Sequence, residues 1–137
     1  MTLLKHINPP TLRKPTKAYS QGIVIPLGVA DLMFVTGQLS QDMEGNVIAP
    51  HDAEAQAKVI FSRIEDILND GEMTLENIVK AQVFLTNIKD APLVSGVRDK
   101  VFKTAKPTST LVEVSNLVKE GCCVEIEVTA IKFKKEL

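Results

Sequence analysis

Two glutamates one residue apart, Glu125 and Glu127, lie in the run Cys123-Val124-Glu125-Ile126-Glu127-Val128. Acid alternating with apolar is the period of a β-strand. An acid on such a strand either faces solvent or lines a pocket, and in a pocket it can orient or deprotonate a water. Just upstream, Lys106-Pro107-Thr108-Ser109-Thr110-Leu111-Val112-Glu113-Val114 is a turn running into another strand, with a cation and several hydroxyls at its start. The other chemistry-bearing residues are poorly arranged for a site. His6 and His51 fall in loops where nothing pairs them, and both are read as structural. Cys122 and Cys123 are adjacent, and neighbours on a strand point to opposite faces, so a disulfide between them would be strained. Two thiols without a nearby histidine do not make a zinc site. Free thiols, buried or half-buried, in a reducing compartment are expected, which points to the cytoplasm.

The bulk properties narrow the function classes. The chain has 137 residues, 45% hydrophobic and 24% charged, which fits one compact domain spanning residues 1–137. A net charge of −1, no Trp and one Tyr give neither a basic stripe nor stacking aromatics for nucleic acid. Lys132, Lys134 and Lys135 read as a solvated terminal strand. No apolar run approaches the ~18 residues of a membrane span. Residues 1–17 are polar, carry Pro9, Pro10 and Pro15, and lack the apolar centre of a secretory signal.

The elements that must position the two glutamates follow from periodicity. Residues 1–17 read as an extended lead-in turning at Pro9-Pro10. Tyr19 to Ile25 and Leu32 to Gln38 read as an antiparallel pair of strands, and Asp42 to Asn46 as a turn in which Gly45 takes positive φ. Asp52 to Asn69 is a helix with Ala53, Ala57, Ile60, Phe61, Ile64, Ile67 and Leu68 on one stripe, Asp52 as its cap and Gly71 past its end. Ile78 to Leu85 is a third strand. A second helix starts at Asp90 with Pro92 in its first turn, burying Leu93, Val94, Val97, Val101 and Phe102. Strands near Thr110–Val114 and Cys123–Phe133 complete an order ββαβαββ, an α+β fold with two helices on one face of a mixed sheet. Strand residues on both faces are apolar (Val112 beside Leu111, Val83 beside Phe84). The uncovered face therefore predicts an oligomer packed sheet against sheet.

Four motifs, in order and spread over nearly the whole chain, resemble the YjgF/RidA family, also known as L-PSP endoribonucleases or translation-initiation inhibitors. They are Ala18-Tyr19-Ser20-Gln21-Gly22, Phe34-Val35-Thr36-Gly37-Gln38, Val83-Phe84-Leu85-Thr86-Asn87 and Val124-Glu125-Ile126-Glu127. The resemblance implies a chorismate-mutase-like α+β fold and a homotrimer with three clefts between subunits. It further implies hydrolysis of 2-imino or enamine acids to 2-oxo acids and ammonia, without cofactor or metal.

That reaction has plain requirements. The substrate carboxylate needs a cation, ideally a bidentate guanidinium. A carboxylate must place water on the imine carbon, and N–H groups can hold the rest. By resemblance Glu125 is the water-placing glutamate and Tyr19 the family's tyrosine. The family's arginine, from a Pro-Ala-Arg-Ser turn, falls on Ser109 of Pro107-Thr108-Ser109-Thr110. The cysteine after that turn is Leu111, and the helix pair Asn and Tyr is Ser95 and Arg98. Losing a charge partner in a desolvated site costs ~2–5 kcal/mol, roughly 30- to 4,000-fold. The expected protein is a divergent member whose deaminase activity is weak, altered or lost. Alternatively Arg98 or Lys106 supplies a relocated cation; as a bland reading Arg98 is a solvated helix residue. Tyr19 is either a ligand contact or a packed hydroxyl between subunits, and Gly37 either allows close backbone packing or lets a ligand approach. An L-PSP-type ribonuclease and a non-enzymatic holdase are the other readings.

Overall fold

The apolar stripe of the first helix does what its spacing requires. In the computed structural model, which describes residues 3–135, α1 spans Ala53–Asp70 and buries every residue of that stripe. Asp52 accepts the Ala55 N–H at 3.0 Å to cap its start. The Gly71 N–H closes its end on the Ile67 and Leu68 carbonyls.

Six strands form one mixed sheet: β1 (Lys5–Ile7), β2 (Gly22–Pro26), β3 (Ala30–Gln38), β4 (Ile78–Leu85), β5 (Thr108–Glu113) and β6 (Val124–Phe133). Their spatial order is β1-β2-β3-β6-β4-β5. All neighbours are antiparallel except β4 and β5, which run parallel. A parallel pair needs a crossover, and α2 (Ala91–Val101) supplies it. The α+β class and the one-sided helix layer are as expected. α1 lies on β3 and β6 and packs against α2, and all contribute to one core with Met33, Val83, Ile126 and Val128. The rings of Phe61 and Phe102 meet edge-to-face at 5.4 Å. That contact pins the C-terminal end of α2 to α1.

Four details differ from expectation. A short strand β1 lies in the lead-in and pairs with β2, His6 opposite Ile23; residues 1 and 2 of the lead-in lie outside the described residues. β2 starts at Gly22 rather than Tyr19, because the Gln21 N–H is taken by the Asn8 side chain at 2.9 Å instead of a ladder partner. Asp90 does not cap α2 with its side chain. A 3₁₀ turn, Ile88–Asp90, runs directly into the helix, and Asn87 caps that turn by accepting from the Lys89 N–H. Leu93 is exposed rather than buried: it sits one position, about 100°, off the Val94–Val97 line that faces the core. Cys122 and Cys123 are both free and buried. Among the described residues no helix is long and apolar enough to cross a membrane.

Candidate functional site

β6 turns Val124, Ile126, Val128 and Ala130 into the core. Glu125 and Glu127 therefore face the side of the sheet that the helices leave open. Across the ladder Glu125 is paired with Phe84 and Glu127 with Gln82, while Thr129 is paired with Phe34. Between Val35 and Gln38 the β3–β6 register slips, which marks an irregularity at Thr36 and Gly37. The Glu125 carboxylate rests on Gly37. A Cβ there would collide with Oε2 and lie 3.0 Å from Cδ, so the carboxylate occupies the space a side chain would fill. Burial, and secondly the neighbouring Glu127, push the Glu125 carboxyl above its ordinary value.

The irregular stretch is tied to the interior by a chain of amides. Gln38 is 1% exposed. Its Nε2 donates to the Thr36 carbonyl at 2.9 Å and to Gln21 Oε1 at 2.8 Å. Its Oε1 accepts from Arg63 Nε and Nη2 at 3.2 and 3.0 Å, and Arg63 Nη1 donates to the Gln41 carbonyl at 3.1 Å. From outside, Thr36 is held by Ser20 and Gln21: its Oγ1 donates to the Ser20 carbonyl and its N–H to the Gln21 carbonyl.

Tyr19 sits in the loop before β2, half exposed. It lines a groove of about 420 Å³ with Ser20, Phe34, Thr36 and Glu127, so it shares space with the second glutamate rather than with Glu125. The motif resemblance singles out Glu125, whereas the alternation puts Glu127 on the same face. It also meets Lys80, Gln82 and Phe34 in a smaller recess of about 200 Å³.

Ser109 is elsewhere. In the parallel ladder it is paired with Ala81, and Leu111 with Val83. Ala81 and Val83 are core residues, so Ser109 belongs to the helix-covered face, at the exposed edge strand. It lines a groove of about 550 Å³ with Arg98, Asp99, Phe102, Lys103, Lys106 and Pro107. The structure thus gathers Ser109, Arg98 and Lys106 in one place, and Glu125 with Gly37 in another, on opposite faces of the sheet. Arg98 is engaged from the side by Asp99, whose Oδ1 accepts from Nε and Nη2 at 3.1 Å each. Lys106 turns the chain from α2 into β5 with φ 45°.

Two residues escaped the sequence reading. Lys103 adds a third cation to the Ser109 groove, which nothing in its loop context signalled. Arg63 had a signal: it lies three residues after Ile60 and four before Ile67, on the buried stripe of α1, where a charge is out of place. Among the described residues no group of three His, Cys, Asp or Glu side chains is placed to hold a metal.

The sequence and the fold are matched in known proteins. The family model described as endoribonuclease L-PSP matches residues 11–132. A RutC family protein of Pyrococcus abyssi is 34% identical over 122 residues, 89% of this chain and 91% of that protein. The 2-iminobutanoate/2-iminopropanoate deaminase of Bos taurus is 30% identical over 114 residues, 83% of this chain and 80% of that protein. The crystal structure of E. coli TdcF with bound serine matches with a TM-score of 0.79 at 26% identity, over 93% of this chain and 98% of that one. With the motifs around Tyr19, Gly37 and Glu125 standing in this fold, the chain belongs to the endoribonuclease L-PSP family, the YjgF/RidA family.

Proposed function

We propose that this protein binds a small carboxylate-bearing metabolite in clefts between copies of the chain, assembled as a homotrimer, and that it hydrolyses 2-imino acids far more slowly than arginine-bearing relatives. The observation that carries the reading is the Glu125 carboxylate: seated on Gly37, drawn partly out of water and poised above its ordinary pKa. A base is most useful when its pKa approaches the working pH.

In the reaction, Glu125 takes a proton from water as the oxygen bonds to the imine carbon. It returns that proton to nitrogen to give a carbinolamine, then takes the hydroxyl proton and delivers it to the amine as the C=O bond forms, the C–N bond breaks, and ammonia and a 2-oxo acid leave. Glu125 and Ser109 lie on opposite faces of one sheet, so a site using both takes them from two copies. Exposed Phe34 and Val112 on the open face (48% and 42%) support such packing. The family's arginine position, by motif, is Ser109, whose hydroxyl makes no charge-assisted fork. The deaminase name of the bovine relative and the serine bound to TdcF support a small amino-acid-like substrate.

A second reading is favoured by one observation: Arg98, Lys103 and Lys106 share the groove of Ser109. There the anchor has moved and the enzyme is fully active. Ammonia release from amino-acid imines generated in situ separates the two. Turnover equal to that of an arginine-bearing relative, abolished by Arg98→Ala or Lys106→Ala, selects the relocated anchor. Slow turnover, little changed by either substitution, selects the divergent enzyme. The ribonuclease named in the family's description is tested by RNA binding at low salt, where a steep salt slope would support it.

A further inference from the structure

We infer that Arg63 is a positioning residue for Glu125, acting from the far side of the sheet through Gln38 and the irregular stretch at Thr36 and Gly37. The inference rests on the reading of Glu125 as the working carboxylate.

Arg63 is 5% exposed. Among the described residues its hydrogen-bond partners are neutral, the Gln38 side chain and the Gln41 carbonyl. Tyr19 and Asp66 act on it at a distance, but no carboxylate among the described residues is bonded to it. Burying a guanidinium without a bonded carboxylate is costly, and an apolar side chain would extend the stripe of Ile60, Ile64 and Ile67 at less cost. What Arg63 supplies is polarity. A guanidinium donates only, whereas an amide can present either end. Two N–H groups aimed at Gln38 fix its Oε1 inward. Its Nε2 must then point at the Thr36 carbonyl and at Gln21 Oε1, and Gln21 in turn donates its own Nε2 to the Arg13 carbonyl at 3.3 Å. Every amide in the series points the same way, and the donor-only end is Arg63. The Thr36 carbonyl is one peptide from Gly37, on which the Glu125 carboxylate rests. The guanidinium therefore sets the height of the floor beneath Glu125 and, with it, how far that carboxylate is withdrawn from water.

The groups placed against Glu125 are Glu127 on its own strand, Phe84 opposite it on β4, Gly37 on β3, and Cys122 just before β6, on which Lys119 also acts. Arg63 touches none of these titratable groups, so a change in Glu125 on altering Arg63 travels through the backbone. The test is the titration of the Glu125 carboxyl, followed by ¹³C NMR in the full chain. In Arg63→Met the floor loosens, water reaches the carboxylate, and its midpoint falls toward the ordinary glutamate value. In Arg63→Lys, which is also donor-only, the midpoint stays close to the parent's. If Arg63→Met does not fold, Arg63→Gln, which can present either end to Gln38, is expected to shift as Arg63→Met would. A folded Arg63→Met or Arg63→Gln with an unmoved midpoint overturns the inference, as does a lysine variant shifted as far as the neutral ones. Imine turnover adds a second readout: a roughly 10- to 100-fold lower kcat at unchanged KM in the neutral variants. The titration reads out even if Glu125→Gln proves harmless to turnover, so the two readings fail separately.

Discussion

The Glu125 face and the Ser109 groove differ in how firmly the fold holds them. Glu125 stands on a central strand, flanked by β3 and β4, with its carboxylate on a glycine and the backbone beneath it anchored to buried Gln38 and Arg63. Ser109 stands on the edge strand, in an open groove whose cations hang on flexible side chains; Arg98 is its only cation in a salt bridge among the described residues, and that with Asp99 at 3.1 Å. Preorganisation favours catalysis when groups are fixed before the reaction begins. On the proposed reading, the water-handling half of the site is built into the core, and the substrate-anchoring half depends on a partly buried arginine and two exposed lysines. If Ser109 stands at the family's arginine position, as proposed, the divergent part is the part held least rigidly.

The contrast can be broken from its strong side first. Glu125→Gln removes the proton acceptor and is expected to lower imine hydrolysis by roughly 10²- to 10⁴-fold, measured as ammonia release, while the fold persists. An equal rate would mean that the carboxylate is only an exposed strand residue. Gly37→Ala puts a methyl group where the carboxylate lies. A stability loss of ~1–3 kcal/mol by chemical denaturation is expected, and turnover falls by up to ~10²-fold as Glu125 is pushed aside. On the weak side, Arg98→Ala and Lys106→Ala are expected to change turnover by about fivefold or less each, the scale of exposed ion pairs worth up to ~1 kcal/mol. A larger loss would show that the groove holds a working anchor and would erase the contrast.

The smallest effect is on stability. The pKa of Glu125 is raised in the folded state above its ordinary value, burial being the first cause. The folded protein therefore holds this proton more tightly than the unfolded chain does. The contribution is fully present below the unfolded pKa and is lost as pH rises through the folded one. Melting curves should show Glu125→Gln gaining on the parent between pH 4 and neutrality, with no gain below that window.

Much of this was legible in the sequence, for physical reasons. β4 and α1 carry their own periodicity, and the structure places both where the spacing did. The alternation of Glu125 and Glu127 fixed their shared face. What local pattern could not carry was register. Nothing in Pro107–Leu111 says that Ser109 pairs with Ala81, so its separation from Glu125 emerges only from the parallel β4–β5 ladder. Three residues at a sheet edge have no period of their own, so β1 leaves no signal in the sequence, and Leu93 falls one helical position off the buried line. Arg63 was visible as a charge on an apolar stripe, but its partner Gln38 lies across the core. The comparison with known proteins added the family, which the motifs had suggested.

The central claim is that the missing guanidinium at Ser109, and not the Glu125 half, limits imine hydrolysis. Ammonia release from amino-acid imines by Ser109→Arg against the parent tests it most directly. A gain of roughly 30- to 4,000-fold is expected, the equivalent of restoring a ~2–5 kcal/mol charge pair, and it should vanish when Glu125→Gln is added. A folded Ser109→Arg protein with unchanged turnover would contradict the account.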